Sequence, residues 1–350
     1  MSSTSGPNIA TSGLVFEIDM SNTQKSWNGK PTVNYITSPT NEVIATASEF
    51  AVFQDLSPIF DTYGTGSYSI TADIKTPKPG SITVYTASGG VEYDIGYFSA
   101  SCDTYYKTFY FNNISVTQTN PAQTVSNLSF YGGYGSGLFP SIKNVQVEKS
   151  TYCTPFVVGT RSNTQALLDL TGNNVTTATS LTYASDNTFS YNGTSDYLEA
   201  GQLSSYLSNN ITVCTFAKIS SVVSKNNLLS INGVYNFFLP GNRLTTTYQL
   251  YWDSTSGWKN GNTSSWNTNQ WYHLSWTISG TTLTFYVNGA ADGTVTLAGN
   301  IAPSGTSRIG LANAGEYATG SISTLQVYNR ALSASEVAQN FNAIRSRYGL

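Results

Sequence analysis

Charged side chains are scarce in this sequence, and their scarcity excludes one class of protein. Only 10% of the 350 residues are charged and the net charge is −3, whereas ordinary soluble domains contain about 25% charged residues. The 16 Lys and Arg are scattered and form no basic stripe. Nucleic-acid binding is therefore excluded, because phosphates require clustered cations. The exterior of the folded chain must consist largely of Ser, Thr, Asn, Gly and Tyr.

Cysteines and long apolar runs are also lacking. The chain has three cysteines, Cys102, Cys153 and Cys214, and their spacing does not match that of metal ligands. The odd number argues against a disulfide framework, and the spacing argues against a zinc site. Residues 1–13 have neither the basic region nor the apolar core of a signal peptide, and no apolar run approaches the roughly 18 residues of a membrane span. The sequence predicts no membrane insertion and is compatible with release as part of an assembled particle.

The clearest pattern that is present is a predicted β-meander. Large apolar residues alternate with mostly polar ones over residues 271–278, and again over residues 283–287, which is the period of a half-buried strand. Residues 279–281 supply a reversal, and Asn288-Gly289 is the dipeptide preferred in tight hairpin turns. A third strand is expected over residues 293–297. An isolated meander would leave its apolar face exposed to water, so the pattern requires a second sheet that covers this face.

Further strands and one helix complete the secondary-structure prediction. Short apolar-alternating segments separated by Gly- and Pro-containing turns recur between residues 42 and 148, and again between residues 188 and 328, as in all-β sandwiches. A helix is predicted over residues 333–348, because Ser333 and Glu336 form a capping box and apolar residues follow at helical spacing.

Two parts of the chain resemble known families. Residues 270–274, 280–289 and 320–333 resemble the laminin-G-like jelly roll of the concanavalin A-like lectin and glucanase superfamily. The middle portion resembles the carbohydrate-binding-module jelly rolls of phage fibres and other virion proteins. Its exit, residues 142–162, resembles a recurring linker between such a module and a laminin-G-like domain. The resemblance implies an all-β protein with two jelly-roll β-sandwich domains and a short C-terminal helix.

The order of the domains along the chain leaves two arrangements open. Residues 13–21 resemble the opening strand of laminin-G-like domains in virion proteins, yet the Leu-x-Gly-Asn segment that normally follows appears only at residues 166–174. We therefore expect an N-terminal arm at residues 1–12 and a carbohydrate-binding-module-like domain at residues 30–160. Residues 13–21 plus 164–350 would form the laminin-G-like domain. The alternative is a simple tandem.

A tryptophan-rich loop is the candidate ligand site. Three of six tryptophans lie among Asn, Asp and Ser in residues 251–266, and aromatic faces beside hydrogen-bonding groups suit a sugar ring. Tryptophans near strand ends also plug sandwiches or subunit interfaces, so packing stays open as the alternative. The candidate glycan-binding residues are Tyr251, Trp252, Asp253, Trp258, Asn260 and Trp266.

Catalytic and metal-binding patterns are weak. A nucleophilic triad would have to use His273, the single histidine, which lies on an ordinary strand. Residues 17–22 resemble the E-x-D-x-x-E strand of the superfamily's glucanases, but Asn22 stands where the acid/base glutamate belongs. Many laminin-G-like domains bind one calcium ion, so the loop acids of this chain are candidate calcium ligands. The alternative is that these Asp residues only stabilise turns. Those acids are Asp169, Asp186, Asp196 and Asp292.

The resemblance to virion proteins implies, together with the weak catalytic patterns and the low charge, a non-enzymatic structural protein of a bacteriophage virion, either a fibre, an appendage or a capsid-surface decoration. Its expected partners are other virion proteins and further copies of itself, with a trimer as the natural assembly, and host-surface polysaccharide as a further ligand. No cofactor is expected apart from a structural calcium ion. A lectin-type adhesin and a polysaccharide-degrading enzyme are the alternatives.

Overall fold

The computed structural model describes most of the chain. The described residues are 8–22, 25–87, 97–116, 126–179, 181–183, 188–206, 208–221, 226–231, 235–239, 249–251, 257–299, 305–312 and 315–350. Contacts divide the chain into two compact units: unit 1 comprises Met1–Lys30 and Asn163–Leu350, and unit 2 comprises Pro31–Ser162. Within the described part, no helix has the length and apolarity needed to cross a membrane.

Strands dominate both units. In chain order they are β1 (Leu14–Asp19), β2 (Thr32–Val33), β3 (Val43–Ile44), β4 (Phe50–Asp55), β5 (Gly66–Lys75), β6 (Gly80–Ala87), β7 (Phe98–Cys102), β8 (Lys107–Val116), β9 (Asn127–Tyr131), β10 (Ser141–Glu148), β11 (Thr160–Arg161), β12 (Thr177–Thr179), β13 (Thr182–Tyr183), β14 (Phe189–Asn192), β15 (Tyr197–Glu199), β16 (Asn210–Ile219), β17 (Asn226–Ile231), β18 (Tyr235–Leu239), β19 (Gln249–Tyr251), β20 (Trp258–Asn260), β21 (Trp271–Ser279), β22 (Thr282–Val287), β23 (Ala290–Thr296), β24 (Ser307–Ile309), β25 (Leu311–Ala312), β26 (Glu316–Tyr317) and β27 (Thr319–Tyr328). The helices are α1 (Ser57–Tyr63), α2 (Asn163–Ala166) and α3 (Ala334–Ile344), with 3-10 turns at Leu203–Tyr206 and Arg345–Tyr348. The predicted all-β class is confirmed.

Unit 1 is built from two large antiparallel sheets. The first has the order β13-β14-β27-β16-β21-β22-β23, and the second has the order β12-β15-β24-β17-β18-β19-β20. Strand β1 joins the first sheet by pairing with β27, so that Phe16 lies opposite Val327. Both β1 and β14 therefore lie along one edge of β27, while β16 occupies the other.

The meander prediction is confirmed at β21 and β22. The inward residues of β21, which are Tyr272, Leu274, Trp276 and Ile278, belong to the buried core of unit 1. At the hairpin after β22, Asn288 and Gly289 both have positive φ, 49° and 78°, as a type I′ turn requires. The third strand begins at Ala290, three residues earlier than expected, because the two-residue turn returns the chain directly into the sheet.

The outer face of the first sheet is buried, although the pattern of a half-buried strand predicts that it is exposed to solvent. His273 and Ser275 point away from the core, yet both have zero exposure. The C-terminal helix α3 and the turn after it cover them: Phe341 lies 5.6 Å from the His273 ring. The predicted capping box of Ser333 and Glu336 is present at the start of α3.

Unit 2 is a smaller sandwich of two four-stranded antiparallel sheets. Their orders are β3-β10-β5-β8 and β4-β9-β6-β7. Alternate residues of both sheets, such as Ile70, Val84, Phe130 and Ile142, have 0–2% exposure and fill the space between the layers, as in other β-sandwiches. Strand β4 and helix α1 were not predicted; α1 begins at Ser57 with Pro58 in its first turn, where proline is tolerated.

A buried carboxylate explains the linker-like motif that closes unit 2. Glu148 has 1% exposure and accepts hydrogen bonds from the Thr154 backbone N–H at 2.6 Å, the Thr154 hydroxyl at 3.0 Å and Gln146 Nε2 at 2.9 Å. Arg161 donates to the carbonyl oxygen of Pro155. The segment that leaves β10 is therefore fixed onto the sheet by polar contacts at Glu148.

Candidate functional site

The predicted tryptophan site is only partly brought together. Trp258 and Asn260 lie two residues apart on β20, an edge strand of the second sheet of unit 1, and therefore share a face. Trp258 is 40% exposed. Trp252, Asp253 and the side chain of Tyr251 lie outside the described residues.

Trp266 requires a correction. Only 9% of its surface is exposed, and it belongs to the core of unit 1, where its ring meets Tyr272 edge-on at 4.9 Å. Its side chain therefore packs the sandwich and cannot stack on a sugar. The sequence could not distinguish this tryptophan from Trp258, because both lie in the same loop-rich stretch.

The single histidine has no catalytic surroundings. His273 lies between the rings of Phe216 and Phe341, both of which are tilted against it, and burial lowers its pKa to about 3. Ser275 Oγ lies 3.4 Å from Nε2, and Cys214 is its cross-strand neighbour. Burial also raises the pKa of Cys214 to about 11. At neutral pH the imidazole is uncharged and the thiol protonated, so neither group is prepared for nucleophilic attack.

The acids of the glucanase-like stretch lie on β1 and interact with the C-terminal segment. Asp19 is 7% exposed, and its Oδ2 accepts a hydrogen bond from Arg347 at 2.6 Å. Burial raises the pKa of Glu17. A glycosidase needs two carboxyl groups at the substrate, whereas here an asparagine, Asn22, occupies the acid/base position and Asp19 is paired with a guanidinium.

The loop acids considered for calcium accept hydrogen bonds from protein donors. Asp169 accepts from the backbone N–H groups of Glu17 and Thr171, and Asp292 from the Thr263 backbone and hydroxyl. Asp196 accepts hydrogen bonds from the backbone N–H and the side-chain amide of Asn192. Oxygens that face donors are poorly placed for a cation. Asp186 lies outside the described residues, and the structural calcium ion stays a prediction.

The most distinctive surface lies on unit 2 and was missed from the sequence. The outer face of the β4-β9-β6-β7 sheet displays four aromatic rings, which we call the aromatic strip: Phe50, Tyr85, Tyr97 and Tyr131. Phe50 lies 6.5 Å from Tyr85 and 6.4 Å from Tyr131, and Tyr85 lies 5.4 Å from Tyr97. The strip therefore runs across the strands, and its outer members Phe50 and Tyr97 are 39% and 55% exposed.

Strand pairing produces this strip. Phe50 is opposite Tyr131, and Tyr85 is opposite Ser129, which is 1% exposed between its larger neighbours. The pairing of Val84 with Phe98 brings Tyr97 beside Tyr85. Because the four rings come from four separate segments, only the long-range register assembles them, and no local pattern could have indicated the strip.

The chemistry around the strip is uncharged and rich in hydroxyl groups. The other side chains on this face include Val52, Thr83, Ser99 and Ser101, none of which is ionised at neutral pH. A further ring, Tyr134, is 96% exposed in the glycine-rich loop that follows β9. Exposed ring faces beside hydroxyls can stack on apolar C–H faces and pair with polar groups at once. Bound nucleotides would need cations for their phosphates, and the side chains described on this face include no Lys or Arg.

The fold of unit 1 defines a class of protein. Residues 192–338 match the family model Laminin_G_3, described as the concanavalin A-like lectin/glucanases superfamily. The matched region therefore has a lectin-like β-sandwich fold. A comparison with curated proteins found no significant match.

Several solved structures are similar to about half of the chain. Domain 4 of AbnA, a GH43 extracellular arabinanase from Geobacillus stearothermophilus, in complex with arabinotriose, has 19% identity and a TM-score of 0.43, over 52% of this chain and 93% of that chain. The binding domain of botulinum neurotoxin serotype D has 15% identity and a TM-score of 0.40, over 51% and 50%. The Trypanosoma rangeli sialidase with 2,3-difluorosialic acid has 16% identity and a TM-score of 0.41, over 52% and 31%. These likenesses concern the fold alone.

Proposed function

We propose that this protein is a non-catalytic carbohydrate-binding protein whose sugar site is the aromatic strip of unit 2. The observation that carries the proposal is the row of aromatic rings, of which Phe50 and Tyr97 are exposed, among the uncharged and hydroxyl-bearing side chains described on this sheet face. Sugar rings bind such faces because their C–H surfaces stack on the aromatic rings while their hydroxyls exchange hydrogen bonds with the polar neighbours. The lectin-like fold of residues 192–338 supports the same class of activity.

Binding to a panel of purified host envelope polysaccharides, neutral and acidic, tests this proposal. Tyr97→Ala and Tyr85→Ala are each expected to weaken binding about five- to tenfold, since a stacked ring contributes roughly 1 kcal/mol. Tyr110→Ala is the matched control, because Tyr110 is an exposed tyrosine of unit 2 on β8, in the other sheet. Affinity that survives both strip variants, or that falls equally in the control, would contradict the assignment.

A second site at Trp258 is the alternative within unit 1. Trp258 and Asn260 provide one exposed ring and one amide on the same face of β20. The same titrations with Trp258→Ala separate the two sites: loss of binding in this variant alone would assign the sugar to unit 1. Binding that is unchanged in every variant would place the sugar elsewhere, and a wild type that binds nothing on the panel would have no carbohydrate ligand there; either result would reject the proposal.

We further propose that the protein acts as a structural component of a bacteriophage particle, on a fibre, an appendage or the capsid surface. Only 10% of the residues are charged, and tyrosines such as Tyr105 and Tyr110 are exposed; both features support close packing against other proteins. We propose a homo-oligomer, with a trimer as the expected form. Light scattering of the purified protein measures the oligomer, and electron microscopy of particles with and without the protein tests its location. A monomer found only in the host cell would reject this role.

Polysaccharide hydrolysis is not part of the proposed function. The pairing of Asp19 with Arg347 beneath the C-terminal segment supports this view. Incubation with the same polysaccharides, followed by size analysis of the products, is expected to show no depolymerisation. Shortened polysaccharides that the wild type produces and Glu17→Gln does not would show hydrolysis and contradict this view.

A further inference from the structure

The C-terminal segment, residues 333–350, covers a polar face of the first sheet of unit 1. Phe341 and Tyr348 supply apolar contacts, and the Tyr348 ring stacks on Phe216 at 4.5 Å. Val337 is also fully buried and packs in a small apolar cluster on this face. Hydrogen bonds add to these contacts: Arg347 donates to Asp19 at 2.6 Å, and the Tyr348 hydroxyl donates to Ser323 at 2.7 Å. The segment is therefore attached to the sheet by both apolar and polar contacts, and water can replace the polar ones when it opens.

The covered face contains polar atoms that the segment leaves unsatisfied. His273 Nδ1, Thr324 Oγ1 and Gln326 Oε1 are buried and have no hydrogen-bond partner among the described residues. Each of these atoms would regain hydrogen bonds to water on exposure, so their burial opposes docking of the segment. An apolar face would have no such tendency to open.

The N-terminal residues 8–12 are held by the same segment. Gln339 Nε2 donates to the carbonyl oxygen of Asn8 at 2.6 Å, and Asn340 Oδ1 accepts from the Ala10 backbone N–H at 2.8 Å. The side chains that make these bonds, those of Gln339 and Asn340, lie on α3. Two direct bonds therefore join the helix to the N-terminal residues.

Two further bonds to residues 8–12 depend on α3 indirectly. The Tyr328 hydroxyl donates to the Ala10 carbonyl at 2.9 Å, and Asn340 Nδ2 fixes that hydroxyl at 3.0 Å. Arg330 Nε donates to Ser12 at 2.8 Å, and Glu336 holds the same guanidinium at 2.6 and 2.9 Å. All four side-chain bonds to residues 8–12 thus rely on residues of α3.

We propose that residues 333–350 form a latch, and that its opening releases residues 8–12 while the two sheets of unit 1 stay folded. The latch makes both ends of the described chain one cooperative unit. The open state presents the N-terminal residues and the polar sheet face together, and the closed state hides both. Assembly contacts through the N-terminal residues would then be available only in the open state.

Cys214 provides an internal reporter of this opening. Its thiol has zero exposure and lies 3.7 Å from Asn340 Nδ2, beneath α3. In a Cys102→Ser, Cys153→Ser background it is the only thiol of the chain. Its labelling by dithionitrobenzoate then measures opening, and the dependence of the rate on low urea concentrations distinguishes local from global opening, since the slope scales with the surface exposed.

Arg347→Ala is the latch variant, because it removes the bond to Asp19 from a solvent-facing side chain. We expect it to raise the labelling rate of Cys214 about tenfold, as for loss of one charge-assisted hydrogen bond. Hydrogen exchange of residues 8–14 and 334–344, followed by mass spectrometry, should accelerate by the same factor. Asn342→Ala is the matched control: Asn342 is exposed on the same helix, and both rates should stay within about twofold.

Two results would overturn the latch. Cys214 labelling with the urea slope of global unfolding would show that the helix leaves only when the sandwich unfolds. Exchange of residues 8–14 that is unchanged by Arg347→Ala, while residues 334–344 accelerate, would show that the two termini open independently.

Discussion

The single histidine should make unit 1 sensitive to mild acid. Burial between Phe216 and Phe341 lowers the pKa of His273 to about 3, against an ordinary value of 6.5. Because the folded pKa lies below the unfolded one, the unfolded chain takes up the proton first. The stability contributed by the neutral ring is complete above pH 6.5 and is lost progressively as the pH falls towards 3.

The size of this effect follows from the displacement of the pKa. The free energy of unfolding should fall by about 1.4 kcal/mol per pH unit below pH 6.5, and by about 2 kcal/mol between pH 8 and pH 5. Most carboxyl groups titrate below this window. The chain has one histidine, so this residue dominates the expected slope.

Urea denaturation followed by tryptophan fluorescence measures this slope for unit 1 alone, because all six tryptophans belong to unit 1. His273→Gln keeps a polar side chain of similar size without a titrating ring and should remove the slope between pH 8 and pH 5. A wild-type stability that is constant across this range, or an equal slope in His273→Gln, would refute the reasoning.

Three further substitutions have expected outcomes in denaturation experiments. Asp169→Ala should destabilise unit 1 by about 3 kcal/mol, because it removes the acceptor that joins β1 to its loop. Its control, Glu199→Gln, breaks a half-exposed ion pair and should cost below about 1 kcal/mol. Equal losses in the two variants would contradict this. Glu148→Ala should destabilise unit 2 by about 3 kcal/mol, measured by circular dichroism, since it leaves the buried Thr154 donors unpaired; an unchanged transition would show that the linker does not need the carboxylate. Gly320→Ala should prevent soluble folding of unit 1, because a Cβ there would lie 2.1 Å from a backbone oxygen at φ 124°; a soluble variant with wild-type stability would show that the backbone can shift.

Local patterns predicted much of the secondary structure. The alternation in β21 and β22, the Asn288-Gly289 turn and the Ser333 capping box are each determined by residues close in sequence, so they were readable. The alternation also separated the inward face of β21 from the outward one. It could not show that the outward face is buried, because α3 covers it from more than fifty residues further along the chain.

The candidate site depended on information that is absent from any one segment. The strip combines Phe50, Tyr85 and Tyr131 from three strands with Tyr97, which immediately precedes β7, and these rings meet only through the sheet order. The tryptophan loop was prominent in the sequence because its residues are contiguous. Proximity in sequence, however, did not place Trp266 and Trp258 in the same environment, since the first fills the core and the second lies on an edge strand.

The pairing of β1 with β27 has a consequence for biosynthesis. Phe16 leaves the ribosome roughly 300 residues before Val327, its partner in the sheet, and at typical elongation rates this delay lasts tens of seconds. Unit 2 is contiguous in sequence and can fold during that interval. Until β27 has been synthesised, the apolar side of β1 lacks its partner strand, and a nascent chain that exposes such a strand is prone to aggregation.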